Sequence, residues 1–181
     1  MKIKAINILI NAIQILIWNK MIRNAALSDA KRIAEIYNYY IEHTAVTFEK
    51  EKVSEEEIRR RMEGILQKNF PYIVYEENGK VDGYASLNNW HPRPAYDITL
   101  EASIYLDIES QGNGIGTLLY SELIKRAETL GIHSIIGSIS MPNDTSRRLH
   151  EKFGFQLAGT LKEAGLKFGK LIDVEFWQLM F

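Results

Sequence analysis

The sequence predicts a single mixed α+β domain. Three observations carry that expectation: two amphipathic helical stretches come first, a run of alternating strand patterns follows, and the C-terminal half repeats strand, helix, strand. At 181 residues with 46% hydrophobic and 25% charged content, the chain can bury one substantial core.

The elements follow in order from Met21. Ile22 to Ala25 forms a short first strand. Ser28 and Asp29 offer an N-cap to a helix whose Ile33, Ile36, Tyr37 and Tyr40 share a face. Ser54 with Glu57 forms a capping box that opens a second helix to about Lys68. Pro71 to Glu76 reads as a strand, Asn78-Gly79 as a tight turn, and Val81 to Asn89 as the returning strand. His91 to Tyr96 holds two prolines and is a loop. From Asp97 to Asp107, Ile98, Leu100, Ala102, Ile104 and Leu106 alternate with Thr99, Glu101, Ser103 and Tyr105, which places Glu101 on the polar face of a half-buried strand.

A loop over Ile108 to Asn113 leads into a helix from about Gly114 to Leu130, with Gly131 as its C-cap. Ile132 to Ile139 is a strand, and Asn143 to Phe153 a helix stopped by Gly154. Phe155 to Leu161 and Asp173 to Met180 close the fold as a hairpin joined by a glycine-bearing loop.

Residues 1 to 20 stand apart. Ala5 to Trp18 is nearly all apolar, yet Lys4, Asn7, Asn11 and Gln14 recur at helical spacing, so the stretch is amphipathic and shorter than a bilayer crossing requires. It reads as an upstream start preceding a domain that begins at Met21, as a packed or oligomer-forming helix, or as a membrane-surface anchor. No stable membrane insertion is expected.

Composition narrows the partners. A formal net charge of -1 gives no bulk field for nucleic acid. With no cysteine, disulfides, thiolate metal sites and a cysteine nucleophile are excluded, and a cytoplasmic location is compatible. His43, His91, His133 and His150 fall at no metal-ligand spacing, so no metal is expected.

The chemistry gathers at Gln111-Gly112-Asn113-Gly114-Ile115-Gly116, between a strand and a helix. Glycines there permit positive φ and let backbone N–H groups converge, while the helix N-terminus adds its dipole, so two linked phosphates could be cradled without a lysine. A plain structural turn is the competing reading. Neither a Walker A nor a dinucleotide fingerprint fits, the latter because Thr117 stands where glycine or alanine is wanted. Downstream, Asn143, Ser146, Arg147 and His150 share one helix face.

The string Gln111 through Gly116 resembles the CoA-binding signature of the GNAT superfamily of N-acetyltransferases. His150-Glu151-Lys152-Phe153-Gly154-Phe155 resembles its Tyr-Glu-Lys-x-Gly-Phe ending, with His150 in place of tyrosine. Thr44 to Phe48, Arg93 to Tyr96, Glu101 to Tyr105, Pro142 to Asp144 and Phe176 to Leu179 resemble the phosphinothricin acetyltransferase branch, whose histidine stands at His150. The likeness runs from Met21 to Phe181.

The resemblance implies the GNAT fold, a central mixed and mostly antiparallel sheet with helices on both faces, and acetyl-CoA as co-substrate without a metal. It places the pyrophosphate on Gln111 to Thr117, and the pantetheine arm on Ile104, Tyr105, Leu106 and Asn143, with Ser146 and Lys152 close by. Attack on a thioester requires a neutral amine, so a base must take a proton; Glu101 matches the family's base, and His150 lines the acceptor site, relaying a proton or binding the acceptor's acid group. Phe48, Arg93, Tyr96 and Ser103 are the acceptor-site candidates, Arg93 first for a carboxylate or phosphinate. Seen alone, Glu101 could be a solvent-facing strand residue, His150 and Phe48 packing residues, and Arg93 a solvated loop arginine.

The implied acceptors are phosphinothricin, methionine sulfoximine or methionine sulfone, and a homodimer is implied. An acetyltransferase for peptide or protein N-termini and a CoA-binding sensor without catalysis are the alternatives.

Overall fold

The computed structural model describes residues 20–181, so expectations for the preceding segment lie outside the described residues. Within these residues seven strands form one sheet. β1 (Lys20–Asn24), β2 (Tyr72–Glu77), β3 (Lys80–Asn89), β4 (Thr99–Leu106), β5 (Ser134–Ser140), β6 (Gln156–Lys167) and β7 (Lys170–Met180) stand in the order β1-β2-β3-β4-β5-β7-β6. Every neighbouring pair is antiparallel except β4 with β5. Among the described residues four α-helices cover the sheet: α1 (Ala30–His43), α2 (Glu55–Leu66), α3 (Ile115–Thr129) and α4 (Asp144–Lys152).

Two cores lie on opposite faces. Ile33, Ile36 and Tyr40 of α1 pack with Ile58, Met62 and Ile65 of α2 against Tyr72, Val74 and Tyr84. On the other face Leu119, Tyr120 and Leu123 of α3 pack against Ile73, Ala85, Leu87, Leu100 and Ile135. The alternation of β2 and β3 distributes their side chains between the two cores, so both faces of the central strands are buried. Truncating a fully buried leucine such as Leu119 would cost about 2–5 kcal/mol.

Local chemistry explains the boundaries. Asn78 and Gly79 both have positive φ (54° and 78°), the geometry of a two-residue hairpin turn. Ser54 accepts from the Glu57 N–H at 3.2 Å, but the Glu57 carboxylate binds Arg60 and Arg61, so the capping box is made from one side only. Asp29 likewise sends its carboxylate to the Ala26 N–H (2.8 Å) and to Arg23 instead of capping α1.

Two expectations are corrected. The closing hairpin is far longer than predicted: β6 runs to Lys167, β7 begins at Lys170, and the turn is Phe168-Gly169 with φ of 49° and 71°. The glycine-bearing stretch pairs as strand, with register shifts at Leu157/Gly159 and Leu161/Gly165 that alternation counting cannot see. The face of β4 carrying Tyr105 is also not simply polar, since that ring meets Tyr37, Tyr40 and Tyr84 at centroid distances of 5.0 to 5.5 Å.

Candidate functional site

The site begins where β4 leaves β5. β4 pairs with β3 over all but its first residue, from Leu106 opposite Gly83 to Leu100 opposite Asn89. Its parallel ladder with β5 covers only Thr99 to Ala102, against Ser134 to Gly137. Ser103 to Leu106 therefore face an opening in the sheet, and this is where Ile104, Tyr105 and Leu106 stand.

At the end of β4 the chain turns through Ile108–Ser110 into the glycine run, and α3 starts with Gly114 as its N-cap. Gly112 and Gly114 have φ of 81° and 79°, and a Cβ at either would meet nothing within 4 Å, so backbone conformation and not crowding demands glycine. Gly116 differs: its missing Cβ faces Leu106, Leu149 and Ile104 at contact distance. Among the described residues no acceptor engages the backbone N–H groups from Gly112 to Thr117. Such donors at a helix N-terminus suit a diphosphate. The Gln111 side chain turns inward instead, donating to the Tyr40 hydroxyl at 2.9 Å. Asn113 and Ile115 contribute backbone to the same run, and Lys152 reaches Thr117 Oγ1 at 3.4 Å, which brings a cation beside the cradle.

Asn143 is the N-cap of α4, its side-chain oxygen accepting from the Ser146 N–H at 3.1 Å. About two turns on, His150 is 4% exposed and boxed by Tyr120 and Phe155, with centroids at 5.1 and 4.9 Å. Its Nδ1 lies 2.8 Å from the Ser146 carbonyl oxygen, which can only accept, so Nδ1 carries the proton and Nε2 keeps its lone pair. Nε2 lies over Gly137, where a Cβ would come within 2.1 Å of it. Burial pushes the imidazole pKa below its ordinary value, only partly offset by the hydrogen bond to the Ser146 carbonyl.

Glu101 stands opposite Asn88 on β3 and Ile136 on β5, and its carboxylate accepts from the Ser138 hydroxyl. Because Ala102 pairs with Gly137 in a parallel ladder, Gly137's missing Cβ and His150 share the Ala102 face, and Glu101 occupies the other. The two catalytic candidates thus flank the opening from opposite faces of the sheet and are not brought into contact.

On the Glu101 face a cleft of about 520 Å³ is lined by Ser103, Asn88, Ser86, Tyr37, Tyr105 and Arg61, among others. Arg61 is bound there by Glu49 and Glu57. Phe48 sits farther across the sheet, its ring over Gly165 of β6, where a Cβ would meet it at 2.2 Å. Arg93 and Tyr96 lie on the exposed loop before β4, Tyr96 meeting Trp90 edge-on at 5.4 Å and His91 at a tilt at 5.1 Å. The Arg93 guanidinium makes no hydrogen bond or ion pair among the described residues, in contrast to Arg61.

Sequence reading missed Ser138, Asn88, Arg61 and Tyr40. Ser138 and Asn88 become neighbours of Glu101 only through strand register, which no spacing within one strand reveals. Tyr40 reads in the sequence as an apolar helix position, and helical spacing carries no sign of the partners its hydroxyl finds in Leu106 and Gln111. Among the described residues no group of three or more His, Asp or Glu side chains gathers as a metal site.

Comparison with known proteins agrees with this geometry. Residues 22–176 match the model of the acetyltransferase (GNAT) domain. The phosphinothricin N-acetyltransferase of Streptomyces viridochromogenes is 40% identical over 157 residues, covering 87% of this chain and 85% of that one. The L-methionine sulfoximine/L-methionine sulfone acetyltransferase of Salmonella typhimurium is 36% identical, covering 87% and 92%. A phosphinothricin acetyltransferase from Sinorhizobium meliloti, solved in complex with acetyl-CoA, superposes with a TM-score of 0.87 at 36% identity, covering 90% of this chain and 89% of that one. The glycine cradle at the head of α3, the parted strands and the matched relatives converge, and the chain belongs to the acetyltransferase (GNAT) family, in its phosphinothricin N-acetyltransferase-like branch.

Proposed function

We propose that residues 21–181 form the catalytic unit of an N-acetyltransferase that moves the acetyl group of acetyl-CoA to the amino group of a small amino-acid-like acceptor of the phosphinothricin, methionine sulfoximine or methionine sulfone type. The observation that carries this reading is the row of backbone N–H groups from Gly112 to Thr117, without acceptors among the described residues, beside the opening between β4 and β5. These donors hold the diphosphate of the co-substrate, aided by the α3 dipole and by Lys152 near Thr117. The pantetheine arm lies along Ile104, Tyr105 and Leu106, with the Asn143 amide group facing it. Acetyl-CoA supplies an activated thioester carbonyl.

Glu101 takes the proton from the acceptor's ammonium, directly or through water, and the Ser138 hydroxyl holds the carboxylate in place. His150, a neutral imidazole with Nδ1–H engaged, offers Nε2 as a hydrogen-bond acceptor. That state does not bind an anion. We therefore read His150 as orienting the reacting groups from the far face of the sheet, and assign the acceptor's acid group to Arg93, with Tyr96 and Ser103 beside the acceptor and Phe48 as the outer wall.

A homodimer in the cytoplasm completes the proposal. β6 is an edge strand exposed along most of its length, with Leu157, Leu161 and Leu166 on it, Phe168 at its turn and Leu171 beside it on β7. A second copy would cover this apolar edge.

The test is thiol release from acetyl-CoA with a panel of amines. Release with phosphinothricin or the methionine derivatives, and little with dipeptides, is the expected outcome. CoA binding without release for any amine would instead mark a sensor, and release with peptides alone would mark an N-terminal acetyltransferase.

A further inference from the structure

Helix α1 grips the turn that joins β4 to the glycine cradle. Tyr40, in the last turns of α1 and 8% exposed, donates its hydroxyl to the Leu106 carbonyl at 2.6 Å. The same hydroxyl accepts from Gln111 Nε2 at 2.9 Å. Leu106 is the last residue of β4, and Gln111 opens the glycine run. Both ends of the turn are thus pinned to one oxygen atom. Burial raises the phenol's pKa, so the hydroxyl stays protonated and can fill both roles.

About two turns earlier on α1, Arg32 donates to the Val81 carbonyl at 3.0 Å and pairs with Asp107, the residue after β4. Asp107 in turn accepts from the Glu109 N–H at 3.0 Å. The turn is held from its start as well as its end. None of these side chains points its bonded group at the cradle's N–H row, so they act on its placement.

Resting on the acetyl-transfer reading above, we infer that Tyr40 is a positioning residue for the donor's diphosphate: its hydroxyl sets the cradle relative to the open end of β4. Gln111 acts through Tyr40, which gives its inward-turned side chain a purpose that direct ligand contact would not.

The experiment compares two acetyl donors, acetyl-CoA and S-acetylpantetheine, which lacks the diphosphate. Tyr40→Phe removes only the hydroxyl. The expected result is a rise in KM for acetyl-CoA of about three- to tenfold, the scale of one or two lost neutral hydrogen bonds, with kcat and the KM for S-acetylpantetheine unchanged. Gln111→Leu should do the same, and the double variant should be no worse than Tyr40→Phe alone. Equal losses on both donors, no loss on either, or additive effects in the double variant would overturn the inference. Calorimetric binding of CoA and of pantetheine to the wild type and to Tyr40→Phe asks the same question without an acceptor. A wild type that binds CoA yet transfers nothing refutes the acetyl-transfer reading, whereas equal CoA affinity in both proteins refutes only the role of Tyr40.

Discussion

Gly137→Ala is the most direct probe of how His150 is held. A Cβ on Gly137 would lie 2.1 Å from His150 Nε2 and 2.6 Å from Cδ2, inside any van der Waals contact, so one of the two must move. The ring has nowhere to go. Tyr120 and Phe155 enclose it, and Nδ1 is anchored to the Ser146 carbonyl at 2.8 Å. Overpacking of this kind costs about 1–3 kcal/mol. For a chain of this size each kcal/mol lowers Tm by about 2–4 °C, so a fall of roughly 2–12 °C is expected. Thermal unfolding measures it, and thiol-release assays at a temperature where both proteins are folded should show a loss of kcat. Gly165→Ala is the internal control. Its Cβ would strike Phe48 at 2.2 Å, but that ring is 38% exposed and can swing outward, so the stability loss should be smaller and the effect should fall on acceptor KM. A Gly137→Ala protein with wild-type Tm and kcat would refute the argument that a missing side chain on β5 seats the imidazole.

Three further outcomes are expected. Glu101→Gln should retain CoA binding, read by calorimetry, while slowing transfer by roughly 10²-fold or more; an unchanged rate removes Glu101 from the role of base. Gly114→Ala places a side chain in open space but at φ of 79°, so a strain of about 1–2 kcal/mol should appear as weaker CoA binding, and equal affinity would mean that the cradle does not depend on this conformation. The third concerns pH. Burial lowers the pKa of folded His150 below the ordinary 6.5, so between the two values the unfolded chain binds more protons, and stability falls as pH drops below about 6.5. His150→Phe should flatten that limb of urea midpoints measured between pH 7.5 and 5.5, and identical slopes in both proteins would contradict the burial argument.

The sequence by itself determined the order of elements, the fold class and the location of the cradle, because these rest on local physics. Asn78-Gly79 can only turn tightly, Gly112 and Gly114 permit φ that other residues resist, and the alternation of β4 shows in its residue types. It also carried the motif strings by which the family is recognised. What tertiary structure alone decided is everything that depends on strand register and sheet order. The parting of β4 from β5 after Ala102, the placement of Glu101 and His150 on opposite faces, the Ser138 hydroxyl on Glu101 and the Tyr40 hydroxyl between Leu106 and Gln111 all join residues far apart in sequence. The long β6–β7 hairpin belongs with them, since its bulges break the period-two pattern that would have announced it. Periodicity records which face a residue occupies. It carries no record of which strand will lie beside it, and here the neighbouring strand supplies the chemistry.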